Sequence, residues 1–138
     1  CFGTGEGLDT NRAKAAERIY EACVNEPFMV AGTDRFCTDV MAAFNGRVFV
    51  KTGAEGVFCG AVPELGFGIA LKCDDGATRA SEVMMAAVLE AMLEINEDEV
   101  KTLDRLVNPP VLTRREVQAG EIRPAKGFLK DLKSALAT

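Results

Sequence analysis

Histidine is absent from the chain, which excludes imidazole catalysis and histidine-based metal sites. Serine is nearly absent: Ser81 and Ser134 are the only two, so candidates for a serine nucleophile are few. No apolar run approaches the roughly 18 residues that a membrane span needs. No basic segment followed by an apolar one opens the chain as a secretory signal would. Five cysteines are present (Cys1, Cys23, Cys37, Cys59 and Cys73), yet no Cys-x-x-Cys pair occurs. That spacing argues against a zinc ribbon or a redox dithiol. Four of the five lie inside apolar runs, where cysteine behaves as a small hydrophobe. An odd count so placed reads as reduced thiols in a cytoplasmic chain.

What remains suffices for one core. The chain has 138 residues, 48% of them hydrophobic, about one domain's worth. With 27% charged residues and a mean hydropathy of +0.06, a disordered or low-complexity chain is excluded. Net charge is −5, unevenly divided. Residues 1–100 hold 8 Lys+Arg against 17 Asp+Glu, and residues 101–138 hold 8 against 4. The basic tail (Arg114, Arg115, Arg123, Lys126, Lys130, Lys133) is interleaved with acids and has only Phe128 as an aromatic partner. It therefore reads as a solvated or intramolecularly packed face, with no nucleic acid as partner. No membrane partner is expected either. The chain opens on Cys1 without a methionine, the expected mark of a processed product or of a piece of something longer.

Residues 1–9 are glycine-rich and read as a loop. Gly3-Thr4-Gly5-Glu6-Gly7 looks like a phosphate-binding loop, but no strand precedes it and no Gly-Lys-Ser/Thr closes it. Apolar Ala13, Ala16, Ile19, Tyr20 and Cys23 predict a helix over 11–24, ending before Pro27. Phe28 to Ala31 is expected to be a turn of core or a brief strand. Thr33 or Asp34 can cap a second helix carrying Phe36, Cys37, Val40, Met41 and Phe44, closed by Asn45-Gly46. Three strands are predicted over 47–51, 56–62 and 67–73, with Pro63 to Gly66 joining the last two in an antiparallel meander. Gly53, Gly56, Gly60, Gly66 and Gly68 weaken these strands unless the missing side chains make room for something. A long helix is predicted over 77–95, with Ala80, Val83, Met84, Ala87, Val88, Ala91 and Ile95 inward. A short helical stretch before Asn108-Pro109-Pro110, an edge strand over 117–123 and a last helix over 126–137 complete the reading. That order implies an α+β fold in which helices pack on an antiparallel sheet, as a single segment over 1–138.

One constellation carries chemistry: Lys51-Thr52-Gly53, at a strand end. Lys-Thr-Gly is the third motif of serine β-lactamases and penicillin-binding proteins, which pair it with Ser-x-x-Lys. A lysine held in apolar surroundings loses solvation, which disfavours its ammonium and lets it relay a proton. The Thr52 hydroxyl can donate to a substrate carboxylate. Gly53 lets a ligand approach the strand edge, where the Ala54 amide can face a developing oxyanion. The same triplet also fits a plain solvated lysine. Neither Ser81-Glu82-Val83-Met84 nor Ser134-Ala135-Leu136-Ala137 is Ser-x-x-Lys. If Lys51 is catalytic, its nucleophile is not on this chain. Thr52 and Thr78 are threonine alternatives, Thr78 being better placed to cap a helix.

The blocks Met29-Val30-Ala31-Gly32-Thr33-Asp34-Arg35-Phe36-Cys37-Thr38 and Arg47 to Cys59, then Leu65 to Ala80 and Gly120-Glu121-Ile122-Arg123-Pro124, resemble the bacterial L-asparaginase II family of the serine–lysine type. The resemblance covers nearly the whole chain and corresponds to the C-terminal part of the family. It implies a fold similar to serine β-lactamases and glutaminases, with two Ser/Lys pairs in the site. Lys51 matches the family's late lysine, and Thr52, Gly53 and Ala54 would line the L-asparagine substrate. The serines, the other lysine and the residues that hold zinc in some members lie upstream in the family, so no cofactor is expected on this chain. The implied reaction is hydrolysis of the side-chain amide by acyl transfer. Asp75 is expected as a helix cap, Arg79 as a structural ion-pair partner, and Cys37, Cys59 and Cys73 as core. A glutaminase, a penicillin-recognising serine hydrolase, or a non-catalytic domain packing on a partner chain are the rivals. A homo-oligomer, or a missing N-terminal part, would complete the assembly.

Overall fold

The computed structural model describes residues 2–136. Helix α1 (Thr10–Asn25) is capped by the Asp9 carboxylate, which accepts from the amides of Asn11 and Arg12, and it buries Ala16, Tyr20 and Val24. A one-turn helix, α2 (Pro27–Ala31), follows, then α3 (Phe36–Ala43). The meander β1 (Phe49–Thr52), β2 (Val57–Val62) and β3 (Phe67–Lys72) is antiparallel in the order β1-β2-β3, with a single 3₁₀ turn over Pro63–Leu65 joining the last two strands. Helices α4 (Thr78–Met92) and α5 (Glu97–Val107), a hairpin of β4 (Pro110–Leu112) and β5 (Gln118–Glu121), and α6 (Phe128–Leu136) complete the chain. This is the α+β architecture expected, with helices packed on an antiparallel sheet.

The core lies between the sheet and α3, α4 and α5. Val50 and Phe58 point into it from the sheet, against Phe36, Val40, Met41, Phe44, Met85 and Leu89. The Phe36 and Phe58 rings meet edge to face at 5.1 Å, fixing the start of α3 to the middle strand. The opposite sheet face is covered at one end only, where Phe2 and Tyr20 pack around Phe49. At the other end of that face Lys51, Cys59 and Ala70 are exposed and lie in one cross-strand row.

Several local expectations are corrected. Phe28 to Ala31 is a turn and not a strand: Pro27 starts a helical turn and Gly32 ends it, with Val30 and Ala31 packed against the core and Phe28 and Met29 left exposed. Neither Thr33 nor Asp34 caps α3. Its cap position is Arg35, without a side-chain hydrogen bond, because Asp34 turns the chain at φ +52° one residue earlier. In α4 the most buried residues are Ser81, Val83, Met85, Ala86, Ala87 and Leu89, whereas Ala80, Met84, Val88 and Ala91 are half-buried. The helix is covered on two flanks, by the sheet and by α5 and α6, so a single inward stripe misplaces half of it. Strand β4 was not anticipated, since Pro109-Pro110 reads as a breaker. The expected helix over 126–137 begins at Phe128; Ala137, like Cys1, lies outside the described residues.

Candidate active site

Lys51 is the third residue of β1, an edge strand of the sheet, and sits directly opposite Cys59 of β2. Its side chain is exposed, and the Nζ donates to the carbonyl of Thr52 at 2.8 Å. The desolvation expected of this amine is therefore not present within the chain. A cleft of about 440 Å³, lined by Phe2, Phe49, Cys59, Ala61 and Phe67 among others, stops at Cys59, the cross-strand neighbour of Lys51. Thr52 is half-buried, while Gly53 and Ala54 are exposed. The Gly53 amide is spent on the Val57 carbonyl at 2.8 Å, and the Ala54 carbonyl accepts from Val57 at 3.2 Å. The Ala54 amide makes no hydrogen bond among the described residues, so it can donate to a ligand.

Gly56 holds this end of the sheet together. It has φ +69°, and a Cβ there would come within 2.8 Å of Cys73 Cβ and 2.9 Å of the Gly76 backbone. Because it lacks one, the β1–β2 turn closes on the β3–α4 turn, with the Cys73 amide on the Gly56 carbonyl at 3.0 Å. The expectation that some glycines make room is met here, by backbone rather than ligand.

Beneath the Lys51 strand lies the thiol of Cys37 on α3, almost fully buried. Burial pushes its pKa above the ordinary thiol value. The Thr52 backbone amide, then Lys51, pull it part of the way back, Glu82 adds to the rise, and Arg35 opposes it. A thiol held protonated in this way is a poor nucleophile, so its role is packing. The charges of Lys51, Arg35 and Glu82 are thus all felt at Cys37, Glu82 coming from α4, well downstream in sequence.

Glu82 is half-buried on α4, and burial raises its carboxyl pKa while Arg35 opposes the rise. A carboxylic acid whose folded pKa exceeds its unfolded value binds more protons folded than unfolded in that interval. Stability then falls as pH rises from about the ordinary 4.5 through the raised value. Glu82→Gln is expected to melt higher than wild type at pH 7, with the difference shrinking below pH ~4.5. Thermal melts of both proteins across pH 4 to 7 check this.

The remaining candidates are structural. Asp75 Oδ1 accepts from the Ala77 amide at 2.8 Å and from the Cys73 thiol at 2.9 Å, and Oδ2 pairs with Arg79 at 2.7 Å. The Cys73 hydrogen bond above all, with Ala77 and Arg79, holds the Asp75 carboxyl below its ordinary range. The Arg79 ion pair is as expected. The α4 cap position, however, is Ala77, and Thr78 is already the first helical residue, so the proposed Thr78 cap is not found. Cys37 is core, Cys73 is half-buried, and Cys59 is exposed rather than core because its side of β2 is left uncovered. Among the described residues no three of Cys, Asp or Glu gather to hold a metal. The zinc implied by the resemblance therefore finds no ligand set here, and no step runs through it.

Among the described residues no helix is long and apolar enough to cross a membrane. No curated protein matches the chain. The model of the family described as L-asparaginase II matches residues 2–124, the stretch that includes β1 and the Lys51 turn. The chain belongs to the L-asparaginase II family.

Proposed function

We propose that the full-length protein hydrolyses the side-chain amide of L-asparagine to L-aspartate and ammonia, with this chain supplying Lys51 and the strand that lines the substrate. Family membership carries the reading. A serine hydroxyl outside these residues attacks the amide carbon and gives up its proton. The carbon–nitrogen bond breaks, ammonia leaves, and water hydrolyses the resulting ester to free the carboxylate. Lys51 relays the proton between hydroxyl and leaving nitrogen, the Thr52 hydroxyl contacts the substrate, and Gly53 leaves the strand edge open. The unpaired Ala54 amide faces the oxyanion. The exposure of Lys51 supports a site completed by the segment that brings the nucleophile. Covering the amine supplies the desolvation that proton relay needs.

The test is ammonia release from asparagine by the full-length protein, set beside glutamine and beside labelling with a β-lactam. Preference for glutamine, or covalent labelling by the β-lactam, would move the reading to a glutaminase or a penicillin-recognising hydrolase. The 138-residue chain alone is expected to release no ammonia, because it carries no Ser-x-x-Lys. Turnover by the isolated chain would place the nucleophile among its own threonines.

A further inference from the structure

We infer that Arg35 receives the α-carboxylate of the amino-acid substrate, an assignment that rests on the asparaginase reading and adds to it the group that selects an amino-acid amide. The residue stands at the cap position of α3, in extended backbone at φ −109° and ψ 139°, immediately after the left-handed turn at Asp34. Its place is fixed from the next two residues. Phe36 is buried and stacked edge to face on Phe58, and Cys37 is buried beneath Thr52. Phe58 is the cross-strand partner of Thr52, so Arg35 stands one residue from a ring packed against the end of β1, where Thr52, Gly53 and Ala54 would line a substrate.

Its chemistry suits the task. Arg35 is exposed and its guanidinium forms neither an ion pair nor a hydrogen bond among the described residues, unlike Arg12, Arg47, Arg79, Arg105 and Arg123, which each pair with a carboxylate. Glu82 is near enough for its charge to be felt, yet no ion pair closes between them. The fork of N–H donors is thus unspent, and a planar guanidinium matches a carboxylate through two parallel hydrogen bonds. Asparagine presents a carboxylate two carbons from its side-chain amide carbon. With that amide at Ala54 and Lys51, a cation at the start of α3 would receive the acid end.

The experiment uses the full-length protein with Arg35→Gln, Arg35→Lys and Lys51→Ala, assayed for ammonia from asparagine and from 3-aminopropanamide, which lacks the carboxylate. Arg35→Gln is expected to lower kcat/KM for asparagine by about 10- to 100-fold, chiefly through KM, and to leave 3-aminopropanamide unchanged. Arg35→Lys should recover part of the loss. An unchanged KM for asparagine, or an equal loss on both amides, overturns the assignment; the second result marks a purely structural residue. Thermal melting of each variant separates folding from binding. Full turnover in Lys51→Ala removes only the lysine from the mechanism, whereas no ammonia from asparagine with the unsubstituted protein defeats the asparaginase reading itself. A dead Lys51→Ala beside an indifferent Arg35→Gln defeats only the role of Arg35.

Discussion

Replacing Lys51 by alanine in the full-length protein is expected to lower ammonia release from asparagine by about 10²- to 10⁴-fold, the range that a positioned acid–base group contributes. Lys51→Arg is the sharper variant. Arginine keeps the positive charge at nearly the same reach but does not surrender its proton. If Lys51 only steadies negative charge, Lys51→Arg retains much of the rate. If it relays a proton, Lys51→Arg is as inactive as Lys51→Ala. The relay reading predicts the second outcome, measured as initial rates of ammonia release at saturating asparagine. Rates within threefold of wild type in Lys51→Ala would remove the lysine from the mechanism.

The sheet was legible because its signals are local and agree. β-branched and aromatic residues alternate through Val48, Phe49 and Val50, and Pro63 to Gly66 leaves only a tight connection, so β1, β2 and β3 fall where the pattern puts them. The closing of α3 at Asn45-Gly46 was legible for the same reason, both residues having positive φ. What failed depends on neighbours distant in sequence. An apolar Phe28-Met29 pair reads as core until Pro27 and Gly32 are seen to isolate one exposed turn. Met84 reads as inward until α6 arrives on its side of α4. Cys59 reads as core because its run is apolar, whereas an uncovered sheet face exposes it. The candidate site divides in the same way. Lys51 to Ala54 are contiguous and announce themselves as a motif. Arg35, Cys37 and Glu82 meet that motif only through the packing of α3 and α4, and no spacing in the chain foretells it.

Glu99→Ala is expected to destabilise the fold by about 3 kcal/mol, because it breaks a buried ion pair and one half of a capping box at once. The Glu99 side chain is 1% exposed. One carboxylate oxygen accepts from Arg47 Nη1 at 2.7 Å, and the other from the Asn96 amide at 2.8 Å. Asn96 returns the favour by accepting from the Asp98 and Glu99 amides, each at 3.0 Å, which completes a capping box at the start of α5. Arg47 in turn holds Glu64 through two hydrogen bonds, at 2.8 and 3.0 Å, and the Glu94 carbonyl at 3.1 Å. One guanidinium thus ties the segment before β1 to the 3₁₀ turn and to the α4–α5 corner. Removing Glu99 leaves a half-buried cation with one acidic partner, an Asn96 backbone amide without its acceptor and a void beneath both. For a chain of this size the loss corresponds to a fall in Tm of roughly 10 °C. Glu64→Gln, whose carboxylate is 40% exposed, keeps its packing and one neutral hydrogen bond, so it should cost far less. Arg47 holds the Glu64 carboxyl below its ordinary range, so its contribution is complete above about pH 4.5 and fades as pH falls through the lowered value. Thermal melts of the three proteins at neutral pH decide the matter. Equal losses for Glu99→Ala and Glu64→Gln would mean that the exposed arm of the network, not the buried one, holds the corner.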